Sequence, residues 1–346
     1  MKTACLTAAK TIELRDGPRP QAPSDGLVMK MAACGVCGSD LRRWQDGPPA
    51  GTHLVQGHEL AGTVVEAGPG VRGFRTGDHI AVAPDIHCGH CWYCRRGRFN
   101  LCTDLRLLGI TAGYDGGFAE YVYLSSEVLT NGIVHRMPQG LSFKDGALAE
   151  TLSSVLASHD HCGLSLGETL VVLGSGPIGC LHTVLGQARG ARVIVAEPNP
   201  IRRRIAAQFQ PEAIIDVVGQ DVIAEVKRLT DGLGADVVVC ANPVAATQTQ
   251  AVEMTRRGGR IVLFGGLPKA DPMVNLNANL IHYGEKVVLG AFSYHPSYHE
   301  EALRILARKV VQAERLITHV LPLSRVGEAF AIAASGEALK VMVEPD

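Results

Sequence analysis

The stretch Val171-Val-Leu173-Gly174-Ser-Gly176-Pro-Ile-Gly179 decides the fold of the second half of this chain. Three glycines follow an apolar run in the order G-x-G-x-x-G, and a helical pattern begins directly after them. The first glycine permits a tight turn, the second lets the backbone approach a pyrophosphate, and the third lets helix and strand pack closely. The helix N-terminus offers unpaired N–H groups to the phosphates. The pattern predicts a dinucleotide site that comprises Gly174, Gly176, Pro177, Ile178 and Gly179.

Apolar strands alternate with helices from Leu170 onward. Strands are predicted at Leu170–Leu173, Arg192–Ala196, Asp236–Cys240 and Arg260–Phe264, and helices at Ile178–Ala188, Ile201–Gln208 and Thr247–Arg256. This alternation is typical of βαβ units and of a parallel, doubly wound sheet. The sequence therefore predicts an α/β Rossmann domain.

An acidic residue follows the second predicted strand of this domain. Glu197 lies 23 residues after Gly174, near the interval of about 20 residues at which an acid reaches the ribose hydroxyls. A carboxylate there repels a 2′-phosphate, which favours NAD over NADP. The next arginines, Arg202, Arg203 and Arg204, could instead neutralise a phosphate. Alternatively, one or two of these arginines flank the adenine, or they face solvent on the helix. Arg202 is the one predicted to contact the cofactor.

The first part of the chain has a different pattern. Short apolar runs, separated by turns rich in glycine and proline, predict strands at Leu27–Met31, Gly62–Glu66 and His79–Ala83. No long amphipathic helix is predicted before about residue 142. A helix is predicted at Tyr298–Lys309, followed by short strands and turns. The chain is expected to form a β-rich lobe, then the α/β domain, then a tail that returns to the first lobe.

Composition restricts the class of protein and its partners. The 346 residues contain 33 basic and 34 acidic side chains, so neither nucleic acid nor an anionic membrane is an expected partner. Residues Met1–Leu14 lack the apolar stretch of a signal peptide. The longest apolar region, Leu170–Leu185, is interrupted by three glycines and a proline. The sequence predicts a soluble, cytoplasmic protein with a small-molecule partner.

Four of the ten cysteines lie within one short segment. In a reducing compartment, clustered cysteines are metal ligands more often than disulfides. Gaps of two residues let thiolates converge on one ion, and four thiolates with no open position describe a structural zinc site. The alternative is a set of free or disulfide-paired cysteines, but neighbours this close do not pair with good geometry. His87 and His90 are expected to face solvent. The predicted ligands are Cys88, Cys91, Cys94 and Cys102.

Two further segments complete a pattern that resembles a known family. They read Cys34-Gly-Val-Cys37-Gly-Ser39-Asp40 and Gly57-His58-Glu59-Leu-Ala-Gly62-Thr-Val-Val-Glu-Ala-Gly68-Pro-Gly-Val71. With the cysteine loop and the glycine turn, and in the same order, they resemble the zinc-dependent medium-chain alcohol dehydrogenases, in particular the polyol dehydrogenase branch. The resemblance covers essentially the whole chain. It implies a GroES-like β-rich catalytic domain over residues 1–148 and 287–346 and a Rossmann domain over residues 149–286.

The resemblance also implies a catalytic zinc site. Cys37 and His58 correspond to zinc ligands, and Glu59 to an adjacent acid that ligates directly or alternates with water. Glu150 stands where polyol dehydrogenases have a glutamate and simple alcohol dehydrogenases a cysteine. It is therefore a fourth ligand or a partner of the zinc-bound water. Buried apolar roles are expected for the remaining cysteines, which are Cys5, Cys34, Cys162, Cys180 and Cys240.

Asp40 and Ser39 have implied roles next to this zinc. Asp40 corresponds to the carboxylate that orients the ligating histidine, and Ser39 to the hydroxyl that receives the alcohol proton. Many relatives have a histidine two residues after the aspartate, where this chain has Arg42. Arginine cannot act as a neutral base, so the relay must use water, another residue or a direct path. Polyol dehydrogenases tend to have an arginine just before the tyrosine that corresponds to Tyr294, and this chain has Ser293.

The substrate pocket is less defined by the sequence. Arg43, Trp44 and Tyr294 are expected to line it, with Arg42 at its mouth, where these residues would suit a ring-shaped or partly anionic polyol. For the segment from Arg42 to Trp44, the alternative is an exposed basic turn.

The implied activity is oxidation of a secondary alcohol of a polyol or cyclitol by NAD, with two zinc ions per chain, in a homodimer or homotetramer. Alternatives within the enzyme class are simple alcohols or an amino alcohol such as threonine. A protein that kept the fold and lost its chemistry should have lost Cys37, His58 or the glycine turn, and all are present. A zinc-ribbon interaction protein would explain the cysteine loop but not the glycine turn.

Overall fold

The computed structural model describes residues 1–346. Its strands are β1 (Lys2–Ala8), β2 (Thr11–Asp16), β3 (Leu27–Gly35), β4 (Leu54–Val55), β5 (Glu59–Ala67), β6 (His79–Ala83), β7 (Asp85–Ile86), β8 (Arg106–Leu107), β9 (Tyr121–Leu124), β10 (Ile133–Arg136), β11 (Thr169–Leu173), β12 (Arg192–Ala196), β13 (Ala213–Ile215), β14 (Ala235–Cys240), β15 (Thr255–Leu263), β16 (Val287–Gly290), β17 (Ile317–Pro322) and β18 (Lys340–Glu344). Its α-helices are α1 (Gly38–Asp46), α2 (Ser126–Asn131), α3 (Phe143–His161), α4 (Pro177–Ala188), α5 (Pro200–Ala207), α6 (Val222–Leu229), α7 (Ala245–Met254), α8 (Ala278–His282), α9 (Pro296–Ala307) and α10 (Val326–Ser335). No helix combines the length and the apolar character that crossing a membrane requires.

The chain divides into two compact units. The first comprises Met1–Ser153 and Ser293–Asp346, and the second comprises Ser154–Phe292. The first boundary lies inside α3, a few residues beyond the predicted one. The second prediction, a return to the first domain at residue 287, is wrong because β16 pairs in parallel with β15 and so belongs to the second unit.

The first unit is built on a mixed sheet. Its strand order is β10-β6-β5-β3-β18-β17, and β9 also pairs with β3. The strands bury one apolar core that includes Leu27, Leu60, Ile80 and Phe330. At the C-terminus, β18 pairs antiparallel with the end of β3. This pairing confirms the prediction that the tail returns to the first lobe.

The second unit contains a parallel sheet of six strands in the order β13-β12-β11-β14-β15-β16. Alternate residues of its central strands belong to two separate cores. Val171 and Val238 lie in one, and Val172 and Val239 lie in the other. A sheet buried on both faces needs apolar residues at every position, which explains the continuous apolar runs in the sequence. The predicted doubly wound domain is confirmed.

Two of the secondary-structure predictions are wrong. The last part of the chain was predicted to contain only strands and turns, but Val326–Ser335 is a helix whose Ala329 and Phe330 are fully buried. The predicted helix Thr247–Arg256 ends at Met254, because Thr255 begins β15. In both cases the pairing or packing partner is distant in sequence.

Two histidines face each other inside the second unit. His159 Nε2 lies 2.9 Å from His182 Nδ1, and both side chains are fully buried. Burial lowers the pKa of His159 well below its usual value and lowers the pKa of His182 to about 3. Because both folded pKa values are depressed, the neutral pair contributes stability that is complete above the unfolded pKa of 6.5. That stability decreases as the pH falls from there towards 3.

We therefore expect acid to destabilise the second unit through this pair. Each buried histidine reduces the free energy of unfolding by about 1.4 kcal/mol per pH unit below 6.5. A His182→Leu variant should lose stability less steeply than the wild type on acidification, as measured by chemical denaturation at a series of pH values. The matched control is His161→Leu, since His161 is exposed at the end of α3. Identical pH slopes in all three proteins would contradict this expectation.

Candidate metal centres and cofactor site

The four clustered cysteines converge in the structure. Their sulfur atoms lie within 4.8 Å of one another, and Cys91 Sγ lies 3.4 Å from Cys94 Sγ. Tight turns direct backbone N–H groups at the sulfurs, with Cys88 N 3.2 Å from Cys102 Sγ and Cys91 N 3.4 Å from Cys88 Sγ. Such donors stabilise thiolates.

The charge state of this loop fits a bound dication. Backbone N–H groups, above all that of Cys94, lower the pKa of Cys91 to about 5. Burial, followed by the hydrogen bond with Cys91, raises the pKa of Cys94 to about 12. Four thiols this close cannot all ionise unless a cation neutralises them, and a complete set of four sulfur ligands is what structural zinc takes. The loop is therefore able to hold zinc.

The histidines of this loop do not behave alike. His90 is exposed and its Nδ1 lies 2.8 Å from the carbonyl oxygen of Cys88, as the sequence analysis expected of a solvent-facing side chain. The same expectation is wrong for His87. Its ring is half-buried and stacks on Phe99 at 4.1 Å between centroids. The aromatic contact holds the imidazole against the protein.

A second group of metal-binding side chains forms in the first unit. Cys37, His58 and Glu59 each place one ligand atom within 4.8 Å of the others. Cys37 immediately precedes α1, while Glu59 begins β5 and pairs with Gly35 at the end of β3. Two short segments that are separate in sequence are thus brought together by the β3–β5 ladder. A thiolate, an imidazole and a carboxylate are the ligand types of catalytic zinc sites, in which a fourth position stays open.

Asp40 and Ser39 contact opposite nitrogens of the His58 ring. His58 Nδ1 lies 3.3 Å from Asp40 Oδ1, and Ser39 Oγ lies 3.2 Å from His58 Nε2. Asp40 is itself fixed, because Cys37 N donates to its Oδ2 at 3.0 Å. Burial by itself would lower the pKa of His58, but the charges of Asp40 and Cys37 raise it well above its usual value.

A lysine that the sequence analysis missed lies next to this group. Lys340 Nζ lies 2.7 Å from both carboxylate oxygens of Glu59, and Thr151 Oγ1 donates to the same carboxylate at 2.9 Å. Burial opposes the charge of Lys340, but Glu59 and then Cys37 raise its pKa above the usual value. The available signal was a single cation at the start of the apolar run Lys340–Glu344.

Glu150 lies on α3, in the part of the helix that belongs to the first unit. It is outside the group of three ligand atoms that lie within 4.8 Å. Burial, followed by the negative charge of Glu59, raises the pKa of Glu150 to about 7. A carboxyl with this pKa can hold or release a proton near neutral pH. Glu150 is therefore a candidate proton-exchanging side chain whose pKa responds to the charges of Glu59 and His58.

A fourth carboxylate, which the sequence analysis missed, lies near enough to Glu150 for its charge to act on that residue. Asp85 is the first residue of β7, and Ser293 Oγ donates to its Oδ2 at 2.5 Å. Burial raises the pKa of Asp85 to about 6, although this hydrogen bond opposes the shift. Next in the chain, Tyr294 is buried, and burial together with Glu150 and Asp85 raises the pKa of its phenol well above the usual value. Tyr294 therefore lies beside the acids of the site.

The glycine turn has the geometry that a pyrophosphate site needs. Gly174 has φ = 101°, a conformation that favours glycine. A Cβ at Gly179 would collide with the carbonyl oxygen of Gly174, whereas a Cβ at Gly176 would enter open space. Pro177 occupies the first turn of α4 and Ile178 follows it, so the N–H groups of this 12-residue helix begin at the open side of the turn. The turn fits a bound dinucleotide.

Glu197 follows β12 and is fixed by the same turn. Its carboxylate accepts hydrogen bonds from Ser175 N at 2.7 Å and from Asn199 N at 2.9 Å. Of the arginines, Arg203 pairs with Asp216 at 2.8 Å and Arg204 is exposed. Arg202 lies near Cys180, since both it and Glu197 influence the pKa of that thiol. Arg202 is thus near the glycine turn, and its contact with the cofactor stays a prediction.

Comparison with known proteins agrees with this geometry. Residues 23–136 match the alcohol dehydrogenase GroES-like domain family, and residues 177–308 match the zinc-binding dehydrogenase family. A sorbitol dehydrogenase of Bacillus subtilis is 33% identical over 100% of this chain and 98% of its own length. An L-threonine 3-dehydrogenase of Pyrococcus furiosus is 31% identical over 99% of this chain and 97% of its own length.

A solved structure described as a zinc-binding dehydrogenase of Sinorhizobium meliloti, bound to NADP, superposes with a TM-score of 0.91 at 32% identity, covering 99% of each chain. The chain belongs to the zinc-dependent medium-chain alcohol dehydrogenase family. It is an oxidoreductase with a GroES-like and a Rossmann unit.

In this zinc-dependent dehydrogenase, the basic segment after Asp40 is helical rather than a turn. Arg42 is exposed and Arg43 is half-buried on α1. Trp44 packs against Phe330 of the apolar core, with 5.9 Å between ring centroids. This packing accounts for the position of the Trp44 ring. That Arg43 and Trp44 contact substrate stays a prediction.

Proposed function

We propose that this dehydrogenase oxidises a secondary alcohol, of the polyol or cyclitol type, to a ketone and transfers the hydride to NAD. The observation that carries the proposal is the convergence of Cys37, His58 and Glu59 within 4.8 Å, with one thiolate, one imidazole and one carboxylate. A zinc ion held there would act as a Lewis acid on the alcohol, and NAD, bound at the glycine turn, would accept the hydride.

The side chains around this group have separate tasks in the proposal. Asp40 holds the His58 ring in the orientation that directs Nε2 away from Asp40. Ser39, whose Oγ lies 3.2 Å from that nitrogen, receives the alcohol proton. Arg42 is exposed and permanently charged, so the proton leaves through water or another residue.

The two glutamates are assigned by their partners. Glu59 is held by Lys340 and Thr151, which fixes one carboxylate at the ligand group. No ion pair holds Glu150, and its pKa of about 7 suits proton exchange. We assign Glu59 as the carboxylate next to Cys37 and His58, and Glu150 as the group that faces the fourth, exchangeable position.

Substrate turnover tests the proposal. The zinc-loaded protein is mixed with NAD and, separately, with polyols, cyclitols, simple alcohols and threonine, and NADH absorbance is followed. We expect the highest kcat/KM for a substrate with a secondary alcohol. Oxidation of primary simple alcohols alone would contradict the proposed substrate class.

We expect NAD to be used in preference to NADP, because the buried carboxylate of Glu197 repels a 2′-phosphate. A Glu197→Gln variant should reduce the ratio of kcat/KM with NAD to kcat/KM with NADP by roughly tenfold. This factor corresponds to the loss of one charge interaction of about 1.4 kcal/mol. The ratio is measured with one alcohol at saturating concentration. Glu212→Gln is the control, since Glu212 is an exposed glutamate of the same unit. A wild type that prefers NADP would refute the assignment.

A further inference from the structure

Asp85, like Glu150, has no ion pair, and in this it differs from the buried carboxylates Asp40 and Glu59. Asp40 accepts a backbone N–H and contacts His58, and Glu59 pairs with Lys340. Asp85 has one hydrogen bond, from Ser293, and no cation within ion-pairing distance. A buried carboxylate without a cation is costly, and proteins retain such groups where a ligand completes the interaction.

The surroundings of Asp85 are acidic and incompletely bonded. The charge of His58 lowers the pKa of Asp85, and the charge of Asp85 raises the pKa of Glu150. The three side chains are therefore neighbours. The Tyr294 hydroxyl is buried near Ser153, yet it forms no well-aligned hydrogen bond. The proton of Ser153 goes instead to the carbonyl oxygen of Ala149.

The charges in this region decide which substrate fits. Lys340 is the buried cation of the site, and Glu59 already occupies it at 2.7 Å. Even with a dication at Cys37, the carboxylates outnumber the remaining positive charge. An anionic substrate group would meet repulsion here, a neutral hydroxyl could donate to Asp85, and an ammonium group would add charge attraction to the hydrogen bond.

We propose that Asp85, held by Ser293, is a specificity-determining residue that binds a protonated amine next to the reacting carbinol, so that the preferred polyol or cyclitol carries an amino group on the carbon beside its reacting secondary alcohol. This inference rests on the proposed function, since the carbinol is assigned to the zinc site. The amine donates a hydrogen bond to the Asp85 carboxylate. The Tyr294 hydroxyl is the neighbouring polar group.

Three small molecules that differ in one group provide the probes. They are 1-amino-2-propanol, 1,2-propanediol and lactate, which place an ammonium, a hydroxyl or a carboxylate next to the same secondary alcohol. Binding to the zinc-loaded, NADH-bound protein is measured by calorimetry at neutral pH, because the reduced cofactor cannot accept a hydride and no alcohol is oxidised during the titration. We expect the amine to bind at least roughly tenfold more tightly than the diol, and lactate to bind most weakly.

The variants separate Asp85 from a general charge effect. Asp85→Asn should lower the affinity for the amine by roughly tenfold to a hundredfold and bring the amine-to-diol ratio close to one. Ser293→Ala should change the ratio in the same direction by a smaller factor. Asp271→Asn removes a charge from an exposed loop and should leave the ratio unchanged. The zinc content of each variant verifies that its sites are intact.

The inference is overturned if the wild type binds the diol or lactate as tightly as the amine, if it binds none of the three, or if Asp85→Asn keeps the wild-type ratio. These results differ from a failure of the proposed function. NADH formation from an alcohol, together with an unchanged ratio in Asp85→Asn, contradicts only the role of Asp85. The expected ratios without any NADH formation contradict only the proposed oxidation.

Discussion

A Cys37→Ala variant should lose alcohol oxidation by at least roughly a thousandfold, because removing the thiolate removes the Lewis-acid assistance of zinc, which is worth several kcal/mol. The cysteine loop contains none of the residues of this site, so its zinc should remain bound. The variant is assayed by NADH formation with the best substrate of the wild type. A variant that kept full activity would show that the catalytic assignment is wrong.

Cys34→Ala provides the matched control for this loss. Cys34 lies three residues before Cys37, is fully buried and stands outside the ligand group. Burial raises the pKa of its thiol well above the usual value, as expected for an inert apolar side chain. Its truncation should reduce stability slightly through the small cavity and leave turnover near the wild-type level. Equal loss of activity in both variants would mean that Cys37 acts only through packing.

A Lys340→Met variant should show the second large effect, on stability. Lys340 and Glu59 are 3% and 0% exposed, and removal of one partner leaves the other charge buried without compensation. Breaking a buried pair in this way costs about 3–5 kcal/mol. The free energy of unfolding should fall by about that amount when a chelator has emptied the site at Cys37, since a dication bound there would itself compensate Glu59, and it is measured by chemical denaturation.

Two further variants test the cause of this loss. The double variant Glu59→Gln with Lys340→Met has no buried charge at this position and should recover part of the lost stability. Lys2→Met breaks an exposed pair with Asp346 and should have little effect. If Lys340→Met were as stable as Lys2→Met, the buried pair would have no structural role.

Local sequence patterns predicted much of the fold. The strands His79–Ala83 and Arg192–Ala196 were predicted with the bounds they have in the structure, because buried runs between turn residues define both ends. The short strand Val287–Gly290 was assigned to the wrong domain. Its place at the edge of the parallel sheet depends on pairing with β15, which no local pattern reveals.

The residues of the candidate site were likewise predicted only in part from the sequence. The cysteine loop could be proposed as a metal site from its spacing alone, and Cys37 and His58 could be proposed from the resemblance of their segments to a known family. Lys340 and Glu59 are separated by 281 residues, and Ser293 and Asp85 by 208 residues. Contacts over such separations exist only after the strands have paired. The sequence therefore indicated the candidate ligands together with Asp40 and Ser39, and it missed Lys340 and Asp85, whose partners are distant in the chain.

The zinc content of the purified wild-type chain, measured beside that of Cys37→Ala by elemental mass spectrometry, tests the central claim most directly. The two groups of ligands predict two zinc ions per chain in the wild type and one in the variant. A wild-type chain that binds one zinc ion, or a variant that binds as much zinc as the wild type, would contradict a catalytic zinc site at Cys37, His58 and Glu59.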